Sequence, residues 1–490
     1  MKNRGTHFAS VFLLGLAIPA ALILPTPNGW LATGGLALLF AGLWVSPRSA
    51  GIVCLLKGLE WDRQSFARGW FISGSTGSGK TLSGLRALLF QVFQHQPKFG
   101  GLCIDDKGTF HETLSKMATH FGRAADVILL RVQAGDGSAS GPPACRFNLI
   151  GDRSIPAATY SRCIVDTASA LGQRREQSFF RSAAQIHMAQ AIEALIAAEH
   201  EVTLANVYHL LTDAEYLKDV LSVLECRPEA GALVRHFQKF MAQPPEQLAG
   251  VMASAGNYLH HFTSPAIAEV FCRDSTFSLA ELDQGKILCL ALPQKFQTER
   301  RYVGTFLKQI FFLNALGRFD LSREERDAKN LLLFVADEAQ HFLTVSEDGG
   351  LSDHSVVDVV REAGVAFIAA TQSSTSLVPV LGAENAKVLM LNLRNRLIFS
   401  AADEDDARLS AEFLGKHWKY EYAETSGPGR KSRTRHRREA YRIEPHTLRE
   451  MRNHECILVH AEKGFRRRMI PPIEPNGKTC GWFRRWWFNH

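Results

Sequence analysis

The chain has 490 residues, 46% of them hydrophobic and 21% charged, a composition of ordinary globular protein with length for more than one domain. Nine cysteines with no Cys-x-x-Cys pair and eighteen histidines without zinc spacing exclude a metal site built from side chains alone. A net charge of +7 implies no nucleic-acid partner by itself, and nearly all of it sits in one stretch, residues 430–438, RKSRTRHRR.

The N-terminus comes first. Residues 8–24 and 30–45 carry no charge, and PTPNG joins them in a tight turn. Lys2 and Arg4 precede the pair, Arg48 and Lys57 follow it, and no acid appears before Glu60. Apolar runs of this length with basic flanks predict a transmembrane helical hairpin over 1–48, both ends cytoplasmic. The protein is therefore expected to be a multi-pass membrane protein with its bulk in the cytoplasm. A cleaved signal peptide is disfavoured by the second apolar run and the missing Ala-x-Ala site; a buried soluble hairpin is the other reading.

Beyond Arg48, short apolar runs end on polar residues or glycine: 70–74, 99–105, 126–132, 286–293, 331–338, 365–372 and 396–401. Continuous apolar runs of strand length are those of parallel strands covered on both faces. Between them lie helical patterns. One opens on Ser352 and Asp353 and stops at Gly364; another has four acids in its first turn, from Asp403, and stops at Gly415. The pattern is α/β. Residues 151–264 break it with helical spacing and no convincing strand, which predicts an inserted all-α domain. Near the C-terminus, 455–470 reads as two strands turning at Lys463–Gly464. The cluster RKSRTRHRR, introduced by SGPG, reads as a solvated loop, and contact with nucleic acid there is one hypothesis.

The chemistry concentrates at GSTGSGKT. Gly74, Ser75, Thr76, Gly77, Ser78, Gly79, Lys80 and Thr81 fit the G-x-x-x-x-G-K-[ST] pattern between an apolar strand and a helical run. Glycines let backbone N–H groups wrap phosphate oxygens, Lys80 reaches the β- and γ-phosphates, and the Thr81 hydroxyl ligates Mg²⁺. ATP and Mg²⁺ are the cofactors this predicts. LLLFVADE then makes sense: a strand ending on two adjacent carboxylates is costly alone, but a divalent cation offsets their repulsion. Asp337 is expected to hold the metal and Glu338 to polarise the attacking water. Adjacent strand residues point to opposite faces, so a bend must follow Asp337. Gln372, at the end of VAFIAATQ, either senses the γ-phosphate or is a strand-end hydrogen bonder. Arg361 either complements its helix dipole or acts as an arginine finger on a neighbour's nucleotide.

Together GSTGSGKT, CIDDKGTF, FVADEAQHF, REAGVAFIAATQSS and the apolar hairpin resemble the type IV coupling proteins, the TraG/TraD group within the FtsK/HerA-like P-loop motor ATPases. The resemblance implies a RecA-like P-loop NTPase fold over 49–150 and 265–490, interrupted by the all-α domain at 151–264. It implies homo-hexamers at the inner membrane that bring DNA, as DNA–relaxase complexes, to a type IV secretion channel during conjugation. By position it makes Lys80 and Thr81 the phosphate and Mg²⁺ ligands, Asp337 and Glu338 the acidic pair, Gln372 the sensor and Arg361 the finger. Asp106 and Lys107 match a D-x-K-G-like segment. The short PTPNG connection departs from relatives with a longer periplasmic segment. The competing reading is a nucleotide-gated receptor that gathers protein substrates and pumps no DNA.

Overall fold

The computed structural model describes residues 51–56, 59–132, 143–172, 178–347, 349–427 and 430–479. The runs at 8–24 and 30–45, and with them the expected transmembrane hairpin, lie outside these residues. Among the described residues no helix is long and apolar enough to cross a membrane.

Seven strands form a parallel sheet: β3 (Trp70–Ser73), β4 (Gly100–Asp105), β5 (Val127–Leu130), β6 (Ile287–Leu290), β7 (Leu332–Asp337), β8 (Val365–Thr371) and β9 (Asn395–Ile398). Each falls within a predicted apolar run or one residue outside it. β12 (Glu455–His460) joins β9 antiparallel and β13 (Gly464–Met469) pairs with β12, giving the order β13-β12-β9-β3-β8-β7-β4-β6-β5. Six of the seven parallel strands are buried along their whole length, all but β5, which is why they read as unbroken apolar runs.

Among the described residues the helices of nine residues or more are α1 (Arg86–His95), α2 (Phe110–His120), α3 (Ala157–Ala170), α4 (Ser178–Ala197), α5 (Leu204–Thr212), α6 (Ala214–Glu225), α7 (Gly231–Met241), α8 (Pro245–Leu259), α9 (Gln297–Leu316), α10 (Asp353–Glu362), α11 (Ala383–Asn392) and α12 (Glu404–Leu414). Between β5 and β6 the described residues hold helices and no strand. Alternation sorts the sheet residues. Phe71, Leu102, Ile104 and Phe334 face a core that runs without a break through α9 into α3–α8. Trp70, Ile72, Cys103 and Val335 face the opposite core, against α1 and α2. Gln309 on α9 donates to Thr167 on α3 at 2.8 Å, a polar tie inside the first core. The helical segment thus shares its apolar interior with one face of the sheet.

Four strands have no counterpart in the sequence reading. β1 (Val53–Leu56) and β2 (Leu59–Trp61) form a short antiparallel pair. More consequential, β10 (Lys416–Gly427) and β11 (Arg430–Tyr441) form a hairpin of twelve paired residues on each strand. The basic cluster expected as a loop is therefore a strand. The basic strand β11 has no apolar alternation to announce it; on β10 Trp418, Tyr420 and Tyr422 alternate with Lys419 and Glu421, a signal confined to one short stretch. At its root Ala440 is buried and Tyr441 packs on the small core of α12, Leu448 and Met451.

Candidate functional site

In an open parallel sheet, ligands sit beyond the carboxyl ends of the strands. β3, β7 and β8 are neighbours in register, with Ser73 beside Thr371 and Asp337 beside Ala370. Their ends carry the phosphate loop, the acidic pair and Gln372, so residues 300 positions apart in sequence meet at one edge.

The loop is held on several sides. Ser75 N–H donates to Ser400 O at 2.7 Å, and Ser78 Oγ donates to Ser75 O at 2.7 Å. His454, just before β12, donates its N–H to Ser78 O at 2.8 Å and sets Nδ1 2.9 Å from Ser83 Oγ. Gly79 has φ 108°, and a Cβ there would lie 2.8 Å from the His454 ring and 3.2 Å from its Cα. Glycine is required on both counts. His454 itself holds a left-handed φ of 69°, strain kept by the surrounding structure. Residues 80–85 form a wide helical turn leading into α1, so their N-terminal N–H groups open toward the loop.

Lys80 is 8% exposed. Burial lowers its pKa, opposed by the carboxylates of Glu338 and Asp337. The Thr81 hydroxyl donates to Asp337 Oδ2 at 3.4 Å. Two oxygens at this spacing can both reach one small hard cation at about 2.1 Å. Burial, with Glu338 beside it, pushes the Asp337 carboxyl up to about 6.

The bend demanded after Asp337 is a single residue. Glu338 takes φ 53°, ψ 51°, the left-handed region that a residue with a Cβ seldom enters. This turns its carboxylate to the same edge as Asp337. There Gln372 Nε2 donates to Glu338 Oε1 at 3.2 Å and Gln340 Nε2 to Oε2 at 2.9 Å. Backbone strain at a carboxylate met by two amide donors is the kind of outlier that points toward a functional role.

Three site residues were missed in the sequence. Asp105 ends β4 in register with Asp337. It accepts from Thr109 and Phe110 N–H at 3.0 and 3.1 Å, burial raises its pKa, and its Oδ1 has no hydrogen-bond partner among the described residues. The apolar run ending in Asp105 was the available signal; Asp106 beside it drew the attention. Gln340 lies within FVADEAQHF, yet only the turn at Glu338 brings it back. His454 has no local signal at all.

Asp106 and Lys107 part company. Asp106 makes a two-pronged pair with Arg301 on α9, at 2.6 and 2.8 Å, with His341 at 3.6 Å. It ties the end of β4 to α9. Lys107 acts electrostatically on both Asp337 and Lys80. Arg361 lies elsewhere. It ends α10 ahead of β8, at the opposite edge of the sheet, and pairs with Asp358 at 3.0 Å. With seven residues of β8 between, roughly 23 Å of strand separates it from this chain's own loop.

Three comparisons bear on this geometry. A family model described as the type IV secretion-system coupling protein DNA-binding domain matches residues 158–465. That match begins beyond the phosphate loop, whose assignment rests on its own pattern and geometry. No curated protein matches the chain. Among solved structures, the bacterial conjugative coupling protein TrwBdeltaN70 is similar over 89% of this chain and 92% of its own, with TM-score 0.63 and 15% identity. The plasmid coupling protein TrwB in complex with ADP and Mg²⁺ matches over 88% and 90%, with TM-score 0.61 and 16% identity. VirB4 of Thermoanaerobacter pseudethanolicus matches over 84% and 91%, with TM-score 0.50 and 14% identity. The shared fold is the large parallel-dominated sheet with its α/β layers.

Proposed function

The chain belongs to the type IV secretion-system coupling proteins, and from that premise we propose that it is an ATPase coupling ATP hydrolysis to recruitment and transfer of DNA. The DNA, as a DNA–relaxase complex, would pass to a type IV secretion or conjugation channel. One observation carries the reading: Lys80, Thr81, Asp337 and Glu338 converge at one sheet edge, with Gln372 on Glu338. A site for binding alone needs the first three. A carboxylate turned inward at the cost of a left-handed backbone serves hydrolysis.

Each residue has a distinct task. Backbone N–H groups of the phosphate loop, apart from those of Ser75 and Ser78, which are bonded within the protein, and the Lys80 ammonium bind the phosphates. Thr81 and Asp337 would hold Mg²⁺, which when bound would neutralise charge on the phosphate chain. Glu338 orients the attacking water and accepts its proton. Gln372, hydrogen-bonded to that carboxylate, reports whether the γ-phosphate is present. The fit is supported by the Thr81–Asp337 spacing and by a raised Asp337 pKa that a cation would relieve.

Arg361 cannot serve its own site across the sheet, so the finger role requires a neighbour. On this reading the subunits form a ring, a homo-hexamer, in which each nucleotide is completed in trans. The apolar runs at 8–24 and 30–45 would anchor that ring to the inner membrane.

The test is turnover. Glu338→Gln should retain ATP binding and lose hydrolysis, because the amide keeps shape but cannot accept the proton. ATPase of the wild-type protein should rise with single- or double-stranded DNA. Wild-type turnover in the variant would move the base elsewhere. DNA-indifferent ATPase would favour the protein-receptor reading.

A further inference from the structure

The hairpin β10–β11 serves neither the sheet nor the phosphate loop, yet residues 416–441 carry eight Lys/Arg against three Glu. Its register sorts them. Trp418, Tyr420 and Tyr422 lie opposite Glu439, Arg437 and Arg435. Alternate residues of a strand share a face, so the three rings and the two arginines are on one side. They interlock diagonally. The Arg437 guanidinium lies 4.1 Å from the Trp418 ring centroid and that of Arg435 lies 3.5 Å from Tyr420. The rings are still 56%, 47% and 52% exposed for Trp418, Tyr420 and Tyr422. One strand therefore presents a row of aromatic faces and its partner two cations, with Glu439 beyond them toward the root, on a two-stranded ribbon whose root packs on the core of α12.

We propose that this face binds single-stranded nucleic acid, with unpaired bases stacked on Trp418, Tyr420 and Tyr422 and phosphates on Arg435 and Arg437. Stacking platforms beside a positive groove are what sequence-indifferent single-strand binding requires. Rings two residues apart are spaced by about 6.8 Å, room for planar bases between or upon them. A duplex has its bases already paired and stacked, so it engages the cations alone. A membrane surface calls for an apolar face segregated from the charges, whereas here Arg435, Arg437 and Glu439 share the face of the rings. Arginine suits both roles here, stacked on a ring when free and forked onto phosphate when bound. The inference rests on the DNA reading above and adds to it the strandedness and the place of contact.

The test uses the full chain in detergent with labelled oligo(dT) and a duplex of equal length. Changing all three rings to threonine (Trp418→Thr, Tyr420→Thr, Tyr422→Thr) keeps strand propensity and removes the stacking faces. It should weaken oligo(dT) binding about tenfold or more and leave duplex binding unchanged. The phenylalanine counterpart (Trp418→Phe, Tyr420→Phe, Tyr422→Phe) should retain wild-type affinity within about threefold. Arg435→Ser with Arg437→Ser should weaken both ligands and make the salt slope for oligo(dT) shallower by about 0.7 per phosphate contact. Photo-crosslinking of a 5-bromouracil oligonucleotide to the unaltered protein should map to 416–422. Wild-type affinity in the threonine variant, equal losses on both ligands, or crosslinks only elsewhere would overturn the proposal. If the protein keeps DNA-stimulated ATPase in those cases, only the hairpin assignment falls. If the wild type binds no DNA in any nucleotide state, the DNA reading falls with it.

Discussion

Asp337→Asn should stabilise the nucleotide-free protein while abolishing its use of Mg²⁺. The folded chain holds Asp337 in a buried place beside Glu338 and Asp105, which raises its carboxyl from the ordinary 3.8 to about 6. A folded state that binds the proton more tightly than the unfolded one loses stability as pH rises between those two values. Below about 4 there is no penalty. Above 6 it is fully present, at about 3 kcal/mol for a displacement of this size. Asparagine keeps the geometry: its Oδ1 still accepts from Glu338 N–H, now at 3.1 Å, and the amide can donate to Thr81 Oγ1. A neutral amide in partial burial recovers less than the whole, so about 1–3 kcal/mol is expected at pH 8. The assay is urea unfolding of wild type and variant, with chelator and without nucleotide, at pH 8 and pH 4.5. The gain should be largest at pH 8 and small at pH 4.5. In the same preparations, ATP with Mg²⁺ at a hundred times Kd should stabilise wild type by about 2.7 kcal/mol and the variant far less. A gain that is equal at both pH values, or absent at pH 8, refutes the argument that charge burial at Asp337 is held in reserve for a cation.

Three further outcomes are expected. Lys80→Ala should remove the thermal shift produced by ATP and all turnover, because the phosphate loses its only buried ammonium among the described residues of the loop. Lys308→Met should lower the unfolding free energy by about 3–5 kcal/mol, read as a shift of the urea midpoint, since it strands the buried Asp353 carboxylate that Lys308 now pairs with, alongside its bonds to Phe342 O and Thr344 Oγ1. Arg361→Ala should leave nucleotide affinity of isolated subunits intact and lower turnover of the assembly by roughly 10³-fold or more. Mixing it with Lys80→Ala subunits should restore part of the activity; no dependence on mixture composition would reduce Arg361 to a helix-end charge.

The phosphate loop, the strand ends and the helix starts were legible because each is written in adjacent residues, although Ser352, read as a cap, makes no side-chain cap to α10. Gly79, Lys80 and Thr81 are consecutive, and their chemistry depends on local backbone freedom. Apolar runs buried on both faces announce β3, β4, β7 and β8 by composition alone. Asp403 shows how far local reading extends: the acid-rich stretch marks the start of α12, but Asp403 proves to be its cap, accepting from Asp406 N–H at 2.8 Å, rather than part of its first turn. Even the bend at Glu338 followed from strand geometry, once both carboxylates were required at one edge.

Only tertiary structure decided the rest, because it depends on which distant segments close against each other. Sheet order sets Asp105 beside Asp337, turns Asp106 away to Arg301 and leaves Arg361 at the far edge. Chain closure over 375 residues brings His454 onto Gly79, and no periodicity in either segment encodes that meeting. The hairpin states the limit most plainly. Composition exposed the cations at 430–438, but their partners lie on the other strand. It is pairing register, a property of two strands together, that sets Arg435 and Arg437 against Tyr420 and Trp418 and makes a basic stretch into a face.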